Sequence, residues 1–323
     1  MKECRQEKFS FEELGRRRVE GAFDAGRISS DGGGLLLREV DAKLGFTHRL
    51  AGCFTDHRTP ALVEHGVEEL LKQRLYGLAL GYEDLSDHET LSRDHLLAAL
   101  VGKSDIVGAE RRMAKDKNLP LASASTLGRL ERTSATADSQ TRYEKIVCDF
   151  DALGDLFMNM FIQGTEEPGV LILDLDPSDI QLHGEQEDRF YHGYYHGYCY
   201  LPMYVYCGDQ PLAVQMRPAN IDGAADSEKI LEPIIAKLRQ TWPEVRIIIR
   251  GDSGFCRDWL MTWCEANNLD YVFGMSRNSR LCKAVATQME KARREFLRSG
   301  QPARYFRSFD YRTTTSPHKS PDR

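Results

Sequence analysis

The stretch VLILDLDPSD, Val170 to Asp179, decides the fold. It opens as an uninterrupted apolar run, the pattern of a strand buried on both faces at the centre of an α/β sheet. It closes on Asp174, Asp176 and Asp179. Carboxylates are costly at the end of a buried strand unless they bind something positive or reach an exposed edge. Strand side chains alternate, so Asp174 and Asp176 share one face while Leu173 and Leu175 share the other. Two readings of the stretch stand level: an acidic, helix-capping turn, and a metal site.

Downstream, YCYLPMYVYCG (198–208) is expected as a second strand, Gly208–Pro211 as a tight turn and LAVQMRPA (212–219) as a third strand, the three forming a meander. DSEKILEPIIAKLRQTW (226–242) has the period of an amphipathic helix, with Pro233 a kink or an early-turn residue. VRIIIRGDSGF (245–255) is another apolar run, ending in Arg250, Gly251 and Asp252. RDWLMTWCEANN (257–268) is a helix, and DYVFGMS (270–276) a fifth strand. The order β-β-β-α-β-α-β places the fourth strand parallel to a strand of the meander through a right-handed crossover.

That order lets the fourth strand lie beside the first. Asp176 and Asp252 then sit side by side at one sheet edge. Two adjacent carboxylates repel, and one would ordinarily hold a proton. A divalent cation removes the conflict, and hard oxygen ligands suit Mg²⁺ or Mn²⁺. A third carboxylate would complete a two-metal site for in-line phosphoryl displacement.

Upstream, residues 1–165 are expected to form a mainly helical domain with a possible role in binding DNA ends. ALVEHGVEELLKQRLYGLALG, ETLSRDHLLAALVG, STLGRLERT and SQTRYEKIVCDFDALGDLFMNMFIQ carry helical periodicity between Pro60 and Gln163. Asp87, Thr90, Ser125 and Ser139 are candidate N-caps. The cluster Arg16–Arg18 suits a solvated stretch. The turn Ser29–Gly34 lacks phosphate-loop spacing and suits a flexible lead-in to a helix. GTEEPG (164–169) marks the boundary with residues 166–281, the expected catalytic core.

The totals agree with this picture. A chain of 323 residues, 41% hydrophobic and 28% charged, suits a two-domain soluble protein. No run of about 18 apolar residues predicts a membrane span, and the charged start lacks a signal peptide's core. Eight scattered cysteines without a CxxC pair argue against a zinc ribbon and a disulfide framework, and suit reduced thiols in a cytosol. The net charge of −6 neither marks nor excludes nucleic-acid binding.

The strand order, with the strings LDLDPSD, LHGEQE, CYLPMYVY and RGDSGF, resembles the DDE transposases of bacterial insertion sequences. More closely, the chain is similar to DDE domain group 1, the insertion-sequence thirteen-eighty family; DAGRISSDGGGLLLREVDAKLGFTHRLAGCFTDHR resembles that family's opening segment. The likeness runs over roughly residues 8 to 312. It implies an RNase H-like mixed sheet and Mg²⁺- or Mn²⁺-dependent cleavage and joining of double-stranded DNA at terminal inverted repeats and a target. It also implies a homo-oligomer on DNA and a cytoplasmic, nucleoid-associated setting. Asp176, before Pro177 and Ser178, matches the first catalytic Asp, with Asp174 the runner-up metal ligand. Asp252 matches the second. Arg250 and Arg257 flank Asp252 and suit phosphate contacts, although Arg250 equally suits a strand-end salt bridge.

The third acid is where the chain departs. Family members carry a Glu on a helix beyond an inserted, largely β region. Here that region is expected from about Leu281 and is under way at ARYFRSFDYRT (303–313), after which TTSPHKSPDR reads as a disordered tail. Glu290 and Glu295 fall too early and in a charged helix. The expectation for residues 282–323 is a truncated or frameshifted end, leaving two of three metal ligands and an inactive chain.

Rival readings start from other residues. Gly251-Asp252-Ser253-Gly254 resembles a trypsin-like nucleophile loop, but Phe255 follows and the surroundings are α/β. His192 and His196 would make a metal pair on a helix; the Gly and Tyr around them suit a strand or loop. Cys256 and Cys264 suit core positions. A non-catalytic DNA-binding fragment would use the basic residues past Met275, among them Arg277, Arg280, Arg293, Arg294 and Arg298. An RNase H-fold nuclease outside transposition is the third reading.

Overall fold

The computed structural model describes residues 8–22 and 31–311. Two compact units divide the chain, Met1–Leu156 and Phe157–Arg323.

The first unit begins with a hairpin. β1 (Phe9–Leu14) and β2 (Arg17–Gly21) pair antiparallel around Gly15, whose φ of +63° suits glycine. Arg17 and Arg18 are exposed on β2. Of the glycine-rich turn, Ser29 and Ser30 lie outside the described residues. From Asp31 onward, carbonyls of Asp31 and Gly32 accept from Gly34 and Leu35 and lead into α1 (Gly34–Leu44). Then follow α2 (Phe46–Ala51), β3 (Phe54–Asp56), α3 (Val67–Ala79), α4 (His88–Leu91), α5 (His95–Val101), α6 (Ala124–Arg132) and β4 (Ile146–Cys148). Leu35, Tyr76, Leu97, Leu100 and Leu121 pack together in its core. Buried Asp41 ties α1 to α2 and α3: it accepts from Thr47 N at 2.9 Å, Thr47 Oγ1 at 2.6 Å and Tyr76 Oη at 2.7 Å.

Two local expectations need correction. The helix expected from Ser139 starts instead at α7 (Phe150–Gly164), because Ile146–Cys148 pairs antiparallel with β3. β-Branched Ile146 and Val147 favour the extended chain. Asp149 Oδ1 then accepts from Asp151 N and Ala152 N, both at 3.0 Å, and starts the helix there. Among the candidate caps, Asp87 precedes α4, but Thr90 and Ser125 lie inside helices and Ser139 in irregular chain. The side chain that caps α5 is Asp94, which accepts from Leu97 N.

α7 crosses from one unit to the next. Met158 and Phe161, from its later turns, join the second unit's core. The unit boundary therefore precedes the 164–169 turn.

The second unit is built on β5 (Val170–Pro177), whose neighbours come from far along the chain. After β5 come β6 (Ile180–Gln181), β7 (Phe190–His192) and β8 (Gly197–Tyr200), a separate small sheet in the order β6-β8-β7. The second strand expected at Tyr198–Gly208 is thus two strands. It breaks at Leu201-Pro202, where proline lacks the N–H a ladder needs. β9 (Met203–Cys207) and β10 (Gln210–Gln215) form a hairpin around Gly208 and Asp209. Then come α8 (Ser227–Thr241), with Pro233 inside it, β11 (Arg246–Gly251), α9 (Asp258–Ala266), β12 (Asp270–Phe273), α10 (Ser279–Ala284) and α11 (Ala286–Ser299).

The main sheet runs β10-β9-β5-β11-β12. β5 pairs antiparallel with β9 and parallel with β11, and β11 parallel with β12. The crossover through α8 returns the chain to the side of β5, as the helix between the strands requires.

The reading of β5 as buried on both faces is corrected. Leu171, Leu173 and Leu175 are buried against Leu231, Ile234 and Leu238 of α8 and Leu260 of α9. Val170 and Ile172, on the opposite face, are 47% and 37% exposed. Helices cover one side of the sheet, so an all-apolar run became a one-sided strand. Asp174 and Asp176 belong to the uncovered face. Among the described residues no helix is long and apolar enough to cross a membrane.

Candidate active site

Asp176 stands one residue before the end of β5, paired in register with Tyr204. Asp252 follows β11 directly. The last pairs of the β11–β5 ladder are Arg250 with Asp174 and Gly251 with Leu175. The next step along both strands brings Asp252 level with Asp176. Burial and the negative charges of Asp252 and Asp174 raise the pKa of Asp176. The Asp176 carboxylate makes no hydrogen bond or ion pair among the described residues.

Local packing fixes Asp252. Its Oδ1 accepts from Gly254 N at 2.7 Å and caps a 3₁₀ turn, Ser253–Phe255. Phe255 is fully buried. A Cβ on Gly251 would meet the Phe255 ring at 2.6 Å, so glycine is what lets strand and ring approach. Gly274, after β12, donates to Gly251 O at 3.0 Å and lies against the backbone of Asp252 and Ser253.

The other expected site residues are already engaged. Arg250 holds Asp174 through both carboxylate oxygens, Nη2 to Oδ2 at 2.7 Å. The salt-bridge alternative for Arg250 is what forms, and Asp174 is not a free ligand. Arg257 donates to Asp222 Oδ2 at 2.8 Å. Burial works to raise the Asp222 carboxyl, but the hydrogen bonds from Arg257 and Ala224 N outweigh it and leave its pKa lowered. Arg277 donates to Cys282 Sγ at 3.4 Å, and Arg280 lies 5.2 Å over the Tyr311 ring. Both belong to the segment after β12.

Glu290 pairs with Arg294 at 2.8 Å and Glu295 with Arg298 at 2.7 Å, both along α11. His192 ends β7 and His196 sits at a left-handed φ of +55°, so they share no helix face. Cys264 is buried in the core, and burial pushes its thiol up to about 12; Cys256 is half-buried. The tail from Thr314 lies outside the described residues.

Two residues were missed by sequence reasoning. Asp222 belongs to an Asp-Gly turn, a visible signal for a turn but not for its bond to Arg257. Arg217 is buried and spans Leu201 O, Gly223 O and Ala225 O at 3.1, 3.0 and 2.7 Å, which fixes the loop leading to α8. Nothing in MRPA announces that burial.

Among the described residues no group of three or more His, Cys, Asp or Glu side chains is arranged to hold a metal. Asp176 and Asp252 alone are two hard oxygen donors whose mutual repulsion a divalent cation would relieve. The donor type fits Mg²⁺ or Mn²⁺, with the rest of the coordination left to water or phosphate oxygens.

A solved piggyBac transposase, a synaptic complex with hairpin DNA, is similar at a TM-score of 0.34 and 10% identity, over 78% of this chain and 53% of that one. The chain thus spans about half the length of that transposase. No curated protein matches the sequence. The family described as transposase DDE domain group 1 matches residues 11–321, and the chain belongs to that family.

Proposed function

We propose that this chain carries the DDE core of a DNA transposase from a bacterial insertion sequence of the thirteen-eighty family, with Asp176 and Asp252 as its metal ligands. The observation that carries the reading is the level placement of these two aspartates at the ends of adjacent parallel strands. The strand order β10-β9-β5-β11-β12 supports an RNase H-like core. The substrates would be the terminal inverted repeats of the element and a target duplex, handled by a homo-oligomer in the bacterial nucleoid.

Asp176 and Asp252 would hold Mg²⁺ or Mn²⁺, which when bound supplies Lewis-acid activation and charge neutralisation at a phosphodiester. The chain's own residues do the positioning. The Asp174–Arg250 pair locks β5 to β11 and so keeps the two aspartates level. The 3₁₀ turn after Asp252 fixes one oxygen of its carboxylate through Gly254 N and leaves the other free. Arg257, five residues after Asp252 and held by Asp222, would steady a phosphate. The reaction class is hydrolysis of a phosphodiester to free a 3′-OH, followed by attack of that 3′-OH on target DNA.

The described residues bring two carboxylates together, and two-metal chemistry is served better by three. We expect the 323-residue chain, on its own, to bind element ends without robust cleavage. A second reading follows from the same shortage: a non-catalytic DNA-binding protein that occupies transposon ends. Cleavage and binding assays on cognate ends with Mg²⁺ separate the outcomes. End-specific binding with trace cleavage that vanishes in Asp176→Asn and Asp252→Asn supports the catalytic reading. Binding with cleavage absent throughout favours the second. Robust cleavage that survives Asp176→Asn overturns the assignment of the site.

A further inference from the structure

The hairpin that opens the first unit carries its positive charge at one end. Leu14 pairs with Arg17, so Gly15 and Arg16 alone make the turn, with the positive φ at Gly15 that a two-residue loop uses. Arg17 and Arg18 begin β2 directly after it, and all three arginines are exposed. None of the three guanidinium groups makes a hydrogen bond or an ion pair among the described residues. Of the hairpin's carboxylates, Glu20 is taken by Lys8 at 3.2 Å, while Glu12 and Glu13, on β1, pair with none of the arginines. Even against both of those carboxylates the tip keeps a positive surplus.

The tip is held from behind. An isolated two-stranded hairpin is marginal in water. Here the cross-strand partners Phe11 and Val19 pack against the core of Leu35, Tyr76 and Leu100. Arg38 of α1, itself buried, donates to Glu12 O at 3.1 Å and Glu13 O at 3.3 Å. Glu39 Oε1 accepts from Glu12 N at 2.6 Å. These bonds tie β1 to α1 and fix where the turn points.

Three adjacent cations on a fixed turn repel one another, and no carboxylate among the described residues answers them. Elsewhere exposed arginines are answered by near neighbours: Arg293 and Arg294 lean on Glu290, and Arg298 on Glu295. The relief for the tip must come from an anion outside the fold. The guanidinium fork matches a phosphate bidentately. A two-stranded ribbon is also narrow enough to approach a duplex along its major groove. Gly15 and the three arginines give the tip no apolar surface, which a protein partner's interface core would need.

We propose that the β1–β2 hairpin is a DNA-backbone contact, with Arg16, Arg17 and Arg18 seated on phosphates of a duplex. The inference rests on the DNA-acting reading above and assigns part of the DNA grip to the first unit. Phosphate contacts carry no sequence information, so the hairpin adds affinity and orientation without choosing the site.

The test follows binding of the full chain to two short duplexes, one carrying the element's end and one of scrambled sequence, over a range of potassium chloride concentrations. Each phosphate contact contributes about 0.9 to the slope of log affinity against log salt. The triple variant Arg16→Gln, Arg17→Gln, Arg18→Gln should therefore lose about 2–3 from that slope on both duplexes and bind about tenfold or more weakly. Its changed side chains are exposed, so circular dichroism and melting temperature should match the parent's. Arg16→Lys, Arg17→Lys, Arg18→Lys together keep the charge and should restore most of the slope. Lys72→Gln, Arg189→Gln, Lys229→Gln together remove three charges already paired with carboxylates, and should leave the slope alone. An unchanged slope in the tip Gln variant overturns the proposal and leaves the transposase reading standing. An equal fall in the paired-charge variant overturns it too, because net charge alone would then account for the loss. A loss confined to the element's end would mark base contacts and overturn the phosphate assignment. A parent that binds neither duplex overturns both this proposal and the reading it rests on.

Discussion

Arg250 grips Asp174 across the β5–β11 ladder, Nε on one carboxylate oxygen and Nη2 on the other. One step along the same face, Asp176 meets Asp252 and no cation. Asp174 and Asp176 are two residues apart on one strand, yet the first is satisfied and the second is strained by like charge. The difference lies in what stands opposite each: Arg250 on β11, and Asp252 just past its end.

That contrast separates the two candidates for the first ligand. Mn²⁺ binding, followed by electron paramagnetic resonance, should be lost in Asp176→Asn and in Asp252→Asn. Asp174→Asn should weaken it by about tenfold or less, as expected for a group acting through its neighbours. Its effect on stability should be small, since the pair is exposed to solvent screening. Equal loss of Mn²⁺ in Asp174→Asn and Asp176→Asn would reverse the assignment.

The same repulsion sets a pH dependence. The folded state raises the Asp176 pKa above its value in the unfolded chain, by burial first and then by Asp252 and Asp174. The folded state therefore holds the proton more tightly. Asp176 favours folding below its unfolded pKa, and that contribution is lost as pH rises through the folded one. Asp176→Asn should accordingly melt higher than the parent at pH 7 by about 1–2 °C, a small gain because the group is exposed. The gain should be nearly gone by about pH 3, where the carboxyl is mostly protonated in both states. Saturating Mg²⁺ should narrow the difference at pH 7 by stabilising the parent alone. Thermal melts at both pH values, with and without the ion, check each part.

Much of this was legible from residue patterns. The apolar runs at Val170 and Val245, each ending in aspartate, located the two strands and their acidic ends. The intervening helical period gave their parallel arrangement. What the pattern could not show is which face of the sheet is covered. VLIL has no polar residue before Asp174, and burial on one face or both leaves the same run of letters. Pairing across strands was equally hidden: the choice between phosphate contact and salt bridge for Arg250 depends on register with β5, which no local string encodes. β4 was masked because Ile146–Cys148 runs into a strong helical period, and its partner β3 lies far upstream. Arg217 was missed because the three carbonyls it binds come from Leu201, Gly223 and Ala225.

The one-sided burial of β5 makes adjacent residues respond differently. Leu173 is fully buried against the helices, while Ile172 is 37% exposed on the other face. Leu173→Ala should cost about 2–5 kcal/mol, combining lost transfer energy with a cavity. Ile172→Ala should cost less, about 1–2 kcal/mol, because more than a third of that residue stays in water and no helix covers that face to leave a closed cavity. Denaturant midpoints at constant slope would measure both. Comparable costs at the two positions would mean the uncovered face is covered in solution.

Gly274 tests whether Asp252 is held by backbone packing. A Cβ there would lie 2.9 Å from Ser253 N and 3.1 Å from the Asp252 carbonyl carbon. Backbone atoms cannot rotate aside as a side chain would, so Gly274→Ala must push the Asp252 loop or shift the end of β12. Overpacking of this kind costs about 1–3 kcal/mol. The loop is the softer of the two, because the end of β12 is held by its ladder to β11. Asp252 should therefore move relative to Asp176. Mn²⁺ affinity should fall about tenfold or more, since carboxylate ligation tolerates little displacement, while far-ultraviolet circular dichroism stays unchanged. Gly169→Ala provides the control: nothing lies within 4 Å of the added Cβ just ahead of β5. It should leave the affinity alone. Parent-like Mn²⁺ binding by Gly274→Ala would show that the contact does not position Asp252.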